Sequence, residues 1–334
     1  MPSIDLLKVS TNGIGLMSLT TKKPPVDKEV AFSTMNAAIN KNLPLQTFFN
    51  GGEFYGPNCS NLIYIRDFFA KYPEQRKNVI ISIKGCIRPD YTPDPSKEGI
   101  EKSINNILSY IPDLDIFEPG RLDPEVPFEE TTTALDAAID EGKIKAFTLS
   151  EVSGATLGKI YKFAKHKPVG VEVEYSLITR DIATNGLVAI AGELGVPIIA
   201  YTPVGRGLLT GAITKPSDIA ADDMRRMMDR FTDENIVNNQ PIVSTVVELS
   251  KKKGVTPAQV AIGWVKFQSE KTINDIKFPR IIPIPSCSSP ARVEENFTEA
   301  NLTQEEFDEL TTAIESQTVH GMRYGKAFEK YLNV

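Results

Sequence analysis

Leu45-Gln-Thr-Phe-Phe-Asn50-Gly-Gly-Glu-Phe-Tyr55-Gly56 is a short apolar run that empties into a glycine-rich turn bearing a tyrosine. The pattern returns at Val79–Ile83, an apolar run closed by Lys84. Runs this short and apolar on both faces read as buried parallel strands. A tyrosine and a lysine, each at the carboxyl end of its own strand, are the layout of a parallel-strand active site.

Working outward, Leu45–Asn50, Val79–Lys84, Leu114–Phe117, Ala146–Ser150, Val171–Tyr175 and Pro197–Tyr201 read as strands. Helical stretches with apolar residues at 3.6-residue spacing separate them, such as Ile100/Ile104/Ile107/Ile111 and Leu187/Ile190/Leu194. Gly142 and Gly195 each follow a helix and precede a strand. Thr256-Pro257 predicts an N-cap with proline at the first helical position, and Thr303 with Glu306 a capping box. Arg280–Ile284 and a segment near Phe297–Leu302 bring the expected strands to eight, which predicts an α/β (β/α)8 TIM barrel. No Gly-x-Gly-x-x-Gly follows the first strand, which removes the main support for a doubly wound sheet. Leu7–Thr20 is expected to form an N-terminal hairpin capping the barrel floor, with residues 1–334 as a single barrel domain. Residues 211–241, charged and rich in methionine, are expected to be a flap over a ligand at the C-terminal face.

Composition narrows the function. The chain has 334 residues and a formal net charge of −6, so no basic footprint points to nucleic acid or an anionic membrane. No apolar run is long enough to span a bilayer, and a cytoplasmic location, with a nuclear one also open, is expected. Three widely spaced cysteines and two histidines predict neither a disulfide framework nor a metal site.

The strand-end residues carry the resemblance. Asn50–Gly56, Lys84, Leu149-Ser150-Glu151, Glu174-Tyr175-Ser176-Leu177, Tyr201–Gly207, Ala258–Ala261 with Trp264, and Pro283-Ile-Pro285 through Arg292 to Asn296 resemble the aldo-keto reductases. The resemblance covers nearly the whole chain. It implies NADPH bound across the barrel mouth and a small-molecule aldehyde as the substrate. By position, Tyr55 resembles the general acid and Lys84 the cation beside it. Ser150 and Glu172 lie where the family holds the nicotinamide carboxamide, and Tyr201 where a ring stacks on the nicotinamide. Thr202, Pro203, Gly205, Arg206, Gly207 and Leu208 resemble the segment that passes the pyrophosphate. Ser286, Ser288, Arg292, Glu295 and Asn296 resemble the adenosine site, with Arg292 placed for the 2′-phosphate.

Two positions depart from the family. Its usual aspartate is Asn50, and its usual histidine aligns with Gly120, beside Arg121. Asn50 is expected to accept a hydrogen bond from Lys84. The tyrosine, with an ordinary pKa of about 10, is expected to be acidified by the lysine. One lysine ~4 Å away contributes about 4 kcal/mol at an effective dielectric of ~20. Gly120 is expected to leave space for a bulky substrate, with Arg121 beside it in the substrate site. Asn50, Gly-Glu-Phe-Tyr-Gly, the small residue at 120 and Leu149-Ser-Glu-Val152 are most similar to the fungal pyridoxal reductases, which implies reduction of pyridoxal to pyridoxine in vitamin B6 metabolism. The alternatives are other aromatic aldehydes or dicarbonyls, or an NADPH-binding accessory subunit of the kind that serves potassium channels.

Overall fold

The computed structural model describes residues 4–334 of the expected single domain, so residues 1–3 lie outside the described residues. Eight parallel strands form its centre: β1 Ile14–Gly15, β2 Thr47–Gly52, β3 Val79–Gly85, β4 Ile116–Pro119, β5 Ala146–Phe147 continuing as Leu149–Ser150, β6 Val171–Glu174, β7 Ile198–Tyr201 and β8 Ile281–Ile284. Neighbours pair in chain order across two arcs, β1 to the first half of β5 and the second half of β5 to β8. The amides of Gly13 and Gly15 donate to the carbonyls of Pro283 and Pro285, joining the first strand to the last. The molecule is a (β/α)8 barrel.

Two expectations need correction. Leu7–Thr20 is not a hairpin. Leu6–Lys8 makes one 3-10 turn, and Ile14–Gly15 runs parallel to Phe49–Asn50 as the first strand. Leu6 and Val9 do plug the barrel floor, packing inside on Phe48, Ile80, Ile116, Ile199 and Ile282. Phe297–Leu302 is not a strand. Phe297 ends the helix Pro290–Phe297, and the chain is irregular from there to Thr303. The count of eight holds because a two-residue strand, too short to show a period of two, takes that place. One small antiparallel hairpin, Thr272–Ile273 with Ile276–Lys277, lies outside the barrel sheet.

The caps follow the sequence. Thr256 and Thr303 each accept from the amide three residues on, and Gln259 and Glu306 return the bond. Gly195 caps its helix at φ +67°, in the left-handed region that glycine enters without strain. Residues 211–241 form short turns and the helix Asp233–Asn238, and they brace the C-terminal tail. The Arg230 amide donates to the Met322 carbonyl at 3.2 Å, and the His320 amide to Asn239 Oδ1 at 2.9 Å.

Strand alternation then decides what faces the barrel axis. Phe48, Ile80, Ile116, Ala146, Ile199 and Ile282 build the apolar floor. Stepping by two along the same strands turns Asn50, Ser82, Lys84, Glu118, Thr148, Ser150 and Tyr201 to the same side. The parallel register sets Lys84 opposite Glu118, Ser150 opposite Glu172 and Glu174 opposite Tyr201.

Candidate active site

β2 ends in two glycines because Ile83, Asn61 and Ile65 crowd the first and the Tyr55 ring lies on the second. A Cβ on Gly52 would stand 2.8 Å from the Tyr55 ring, so only glycine admits that approach. The carbonyl of Tyr55 accepts from Thr20 Oγ1 at 2.9 Å, which ties the turn to the loop after β1. Glu53 lies behind the turn, accepting from Ser103 and Asn106. Among the described residues no hydrogen bond holds the Tyr55 hydroxyl, which feels burial and nearby charges.

Lys84 is buried, with 5% of its side chain exposed, and it meets two carboxylates. Its Nζ is 2.6 Å from Glu172 Oε1 and 3.0 Å from Glu118 Oε1. Asn50 Nδ2 donates to the other oxygen of Glu172 at 2.6 Å, and Thr148 Oγ1 donates to Glu118 Oε2 at 2.9 Å. Asn50 is therefore not the acceptor for Lys84; it reaches the lysine only through Glu172. The counter-charge comes from β4 and β6 and not from position 50.

This arrangement overturns the expected acidity of the tyrosine. Burial pushes Tyr55 up to about 12; Lys84 and Arg121 pull it down, while Glu172 and Glu118 push it up. Burial opposes the charge of Lys84 as well, but Glu118 and Glu172 hold it above the ordinary lysine range. Lys84 is the strongest pull toward the tyrosinate, but burial and the opposing charges of Glu172 and Glu118 outweigh it. Burial and repulsion by Glu172 push Glu118 up to about 8 against the pull of Lys84.

Above this layer, Tyr201 lies with its ring 5.7 Å from Lys84 Nζ. Its hydroxyl donates to Glu151 Oε1 at 2.7 Å. Arg323 grips the same carboxylate with two bonds of 3.0 Å. Burial opposes the charge of Glu151, but Arg323 and Arg121 hold its carboxyl below the usual range. Arg206 Nη2 donates to the Tyr324 hydroxyl at 2.8 Å and stands 3.4 Å from Glu174. Arg121 Nη1 donates to the Gly120 carbonyl at 2.6 Å and to Ser150 Oγ at 2.9 Å.

The expected space beside Gly120 is filled. A Cβ there would lie 2.7 Å from Ile87 Cγ1 and 2.9 Å from the Gly85 carbonyl, whose oxygen accepts the Gly120 amide at 2.8 Å. The glycine admits a tight crossing of chain segments and aims its carbonyl at Arg121.

The expected cofactor residues form a continuous rim. Thr202, Pro203, Gly205, Arg206, Gly207 and Leu208 follow β7, with Thr202, Gly205, Arg206 and Gly207 all at positive φ. The buried Thr202 hydroxyl has no hydrogen-bond partner. Beyond β8, Ser286 Oγ donates to the Gly15 carbonyl at 3.1 Å, and Lys22 Nζ donates to Ser288 Oγ at 2.9 Å. Arg292 is over half exposed at the start of its helix, bonded to Glu295 at 2.5 Å. Asn296 is buried, donating to Cys287 Sγ at 3.4 Å. An unsatisfied hydroxyl beside a stackable ring, and two cations on a serine-lined helix start, fit a phosphorylated dinucleotide. Among the described residues, no group of His, Cys, Asp and Glu could hold a metal, and no helix is long and apolar enough to cross a membrane.

The structure thus brings Asn50, Tyr55, Lys84, Ser150, Glu172 and Tyr201 together, and sets the Ser286–Asn296 residues to one side. It adds roles for Glu118, a strand-end residue, and for Arg323 and Tyr324, in the tail where the resemblance implies part of the substrate pocket, and it adds Lys22, which carries no sequence signal.

A profile of the aldo/keto reductase family matches residues 13–315. A Saccharomyces cerevisiae protein provisionally assigned as a pyridoxal reductase is 39% identical, covering 94% of this chain and 96% of its own. A Schizosaccharomyces pombe protein, also provisionally a pyridoxal reductase, is 33% identical over the full length of both. Among solved structures, a glycerol dehydrogenase from Gluconobacter oxydans superposes with a TM-score of 0.78 at 18% identity, covering 96% of each chain.

Proposed function

Because the chain belongs to the aldo/keto reductase family, we propose that it reduces an aldehyde to the alcohol with NADPH, and that pyridoxal is the aldehyde. The observation that carries the reading is the Tyr55 hydroxyl. It is a protonated donor with no protein partner, at the end of β2, in the field of a buried lysine. Ser150 and Tyr201 would hold the nicotinamide, which would supply a hydride to the carbonyl carbon. The carbonyl oxygen, gaining the π electrons, takes the Tyr55 proton, and the resulting tyrosinate is stabilised by Lys84 until solvent restores the proton. A reductase needs its acid protonated at neutral pH, so the upward shift of Tyr55 suits this direction of reaction. The substrate assignment rests on the two yeast relatives and is tested by turnover. Oxidation of NADPH on adding pyridoxal, with pyridoxine formed in equal amount, is the expected result. Binding of NADPH with no turnover of any aldehyde would remove the reading and favour an accessory subunit.

The preference for NADPH is assigned to Arg292, with Lys22 and Ser288 beside it. Arg292→Ala is expected to weaken NADPH by about 1.5 kcal/mol, roughly tenfold, while NADH changes little. The low end of the range for a charge-assisted bond applies because Arg292 must give up Glu295 to meet the phosphate. Titration of both cofactors by protein fluorescence checks this, and equal losses would make Arg292 a structural residue.

A further inference from the structure

Four arginines converge on the barrel mouth, and three of them are matched by a carboxylate. Arg206 and Arg230 each stand 3.4 Å from Glu174, and Arg323 holds Glu151. Arg121 differs. Its partners are the Gly120 carbonyl, Ser150 Oγ and, at 3.4 Å, the Tyr324 hydroxyl. Among the described residues no carboxylate lies within ion-pair distance of it. A guanidinium has five N–H donors in a planar fork, so after these three bonds Arg121 retains two donors and, although Glu151 and Glu172 act on it from a distance, no carboxylate in contact.

Its place in the fold says what that charge faces. Arg121 lies two residues past the end of β4, whose Glu118 and Pro119 are in register with Lys84 and Gly85. The Tyr55 ring packs on Gly52, which is in register with Lys84, and the Gly120 amide donates to the Gly85 carbonyl, so Tyr55 and Arg121 stand two strands apart at the same level of the mouth. Its guanidinium also faces the Tyr324 ring at 5.9 Å, which fixes the plane of the fork.

We propose that Arg121 is a specificity-determining residue that receives an anionic oxygen on the carbon next to the aldehyde-bearing carbon of an aromatic ring. The ligand class is thus the ionised ortho-hydroxy aromatic aldehydes. With its carbonyl oxygen on Tyr55, such a substrate carries its second oxygen toward Arg121. This rests on the reductase reading and deepens it: pyridoxal belongs to the class, and simple benzaldehydes do not. Arg121 also takes up part of what the missing histidine at position 120 would do, by orienting the substrate through its neighbouring oxygen.

The test compares 2-hydroxybenzaldehyde with 2-methoxybenzaldehyde, which keeps the ortho oxygen but cannot ionise. In the wild-type protein, the ratio of kcat/KM for the two should rise as pH passes through ionisation of the phenol. In Arg121→Met that rise should disappear, and the ratio at high pH should fall roughly ten- to a hundredfold, the size of one charge-assisted hydrogen bond. Arg121→Lys keeps the charge without the fork, so it should retain a rise of smaller amplitude. A wild-type ratio indifferent to phenol ionisation overturns the inference without needing any variant. An unchanged ratio in Arg121→Met, with both rates lowered or with NADPH affinity lowered instead, also overturns it and leaves the reductase reading intact. Failure of the wild type to reduce 2-hydroxybenzaldehyde while it reduces pyridoxal overturns the inference alone, and failure with pyridoxal and every other aldehyde overturns both.

Discussion

Replacing Tyr55 by phenylalanine should cut turnover by several hundredfold or more and leave NADPH affinity within about twofold of wild type, because a positioned acid contributes roughly 10²–10⁴ in rate. The structure makes this substitution clean. The ring packs on Gly52 and against Phe54, with centroids 4.9 Å apart, and phenylalanine preserves both contacts. The lost hydroxyl has no protein partner, so no buried group is left unsatisfied. Folding should therefore be unchanged, with the melting temperature as a control. The pH profile gives a second check. With Tyr55 pushed up to about 12, reduction by the wild type should not decline through tyrosine ionisation below about pH 10. Near-normal turnover in Tyr55→Phe would mean that another group donates the proton.

Lys84→Met should have a comparable effect on rate and, unlike the tyrosine change, a large one on stability. It leaves Glu118 and Glu172 buried without their cation, and removing one partner of a buried ion pair costs about 3–5 kcal/mol. For a chain of this size that lowers the melting temperature by roughly 5–15 °C. The pH dependence follows from the sign of the glutamate shift. Glu118 has a folded-state pKa raised to about 8, above its unfolded value near 4.3, so its contribution is complete at low pH and is lost as pH rises through 8. Without Lys84 the pair becomes neutral only by taking up protons. The gap in melting temperature between wild type and Lys84→Met should therefore widen from pH 5 to pH 8.5. A gap that does not depend on pH would show that Lys84 is not the counter-ion of the pair.

The counter-ion set also explains how the chain manages without an aspartate at position 50. An amide there neutralises nothing, and the buried cation of Lys84 would be costly alone. Glu172, across the barrel on β6, supplies the charge and is steadied by Asn50 itself. Substitutions at 50 and 172 should thus be coupled, because the two side chains share a bond.

The sequence by itself determined the barrel, its strand-end chemistry and the turn that presents Tyr55. Those features are local: apolar runs of strand length, glycines that end helices, and the glycine at 52 that lets a ring lie on the backbone. Alternation along each strand also made the inward set readable, with Lys84 two residues beyond Ser82 and Asn50 two beyond Phe48. Tertiary structure alone decided which charges met. Lys84 is neutralised by glutamates 34 and 88 residues away in sequence, and the mouth is closed by Arg323 and Tyr324 from the far end of the chain. It decided too that the crossing at Gly120 is filled, because Ile87 returns to it from another loop. The direction of the Tyr55 shift belongs to the same class. A sequence shows that a cation stands near a tyrosine, but the net field depends on burial and on every other charge within reach, and those distances exist only once the barrel has closed.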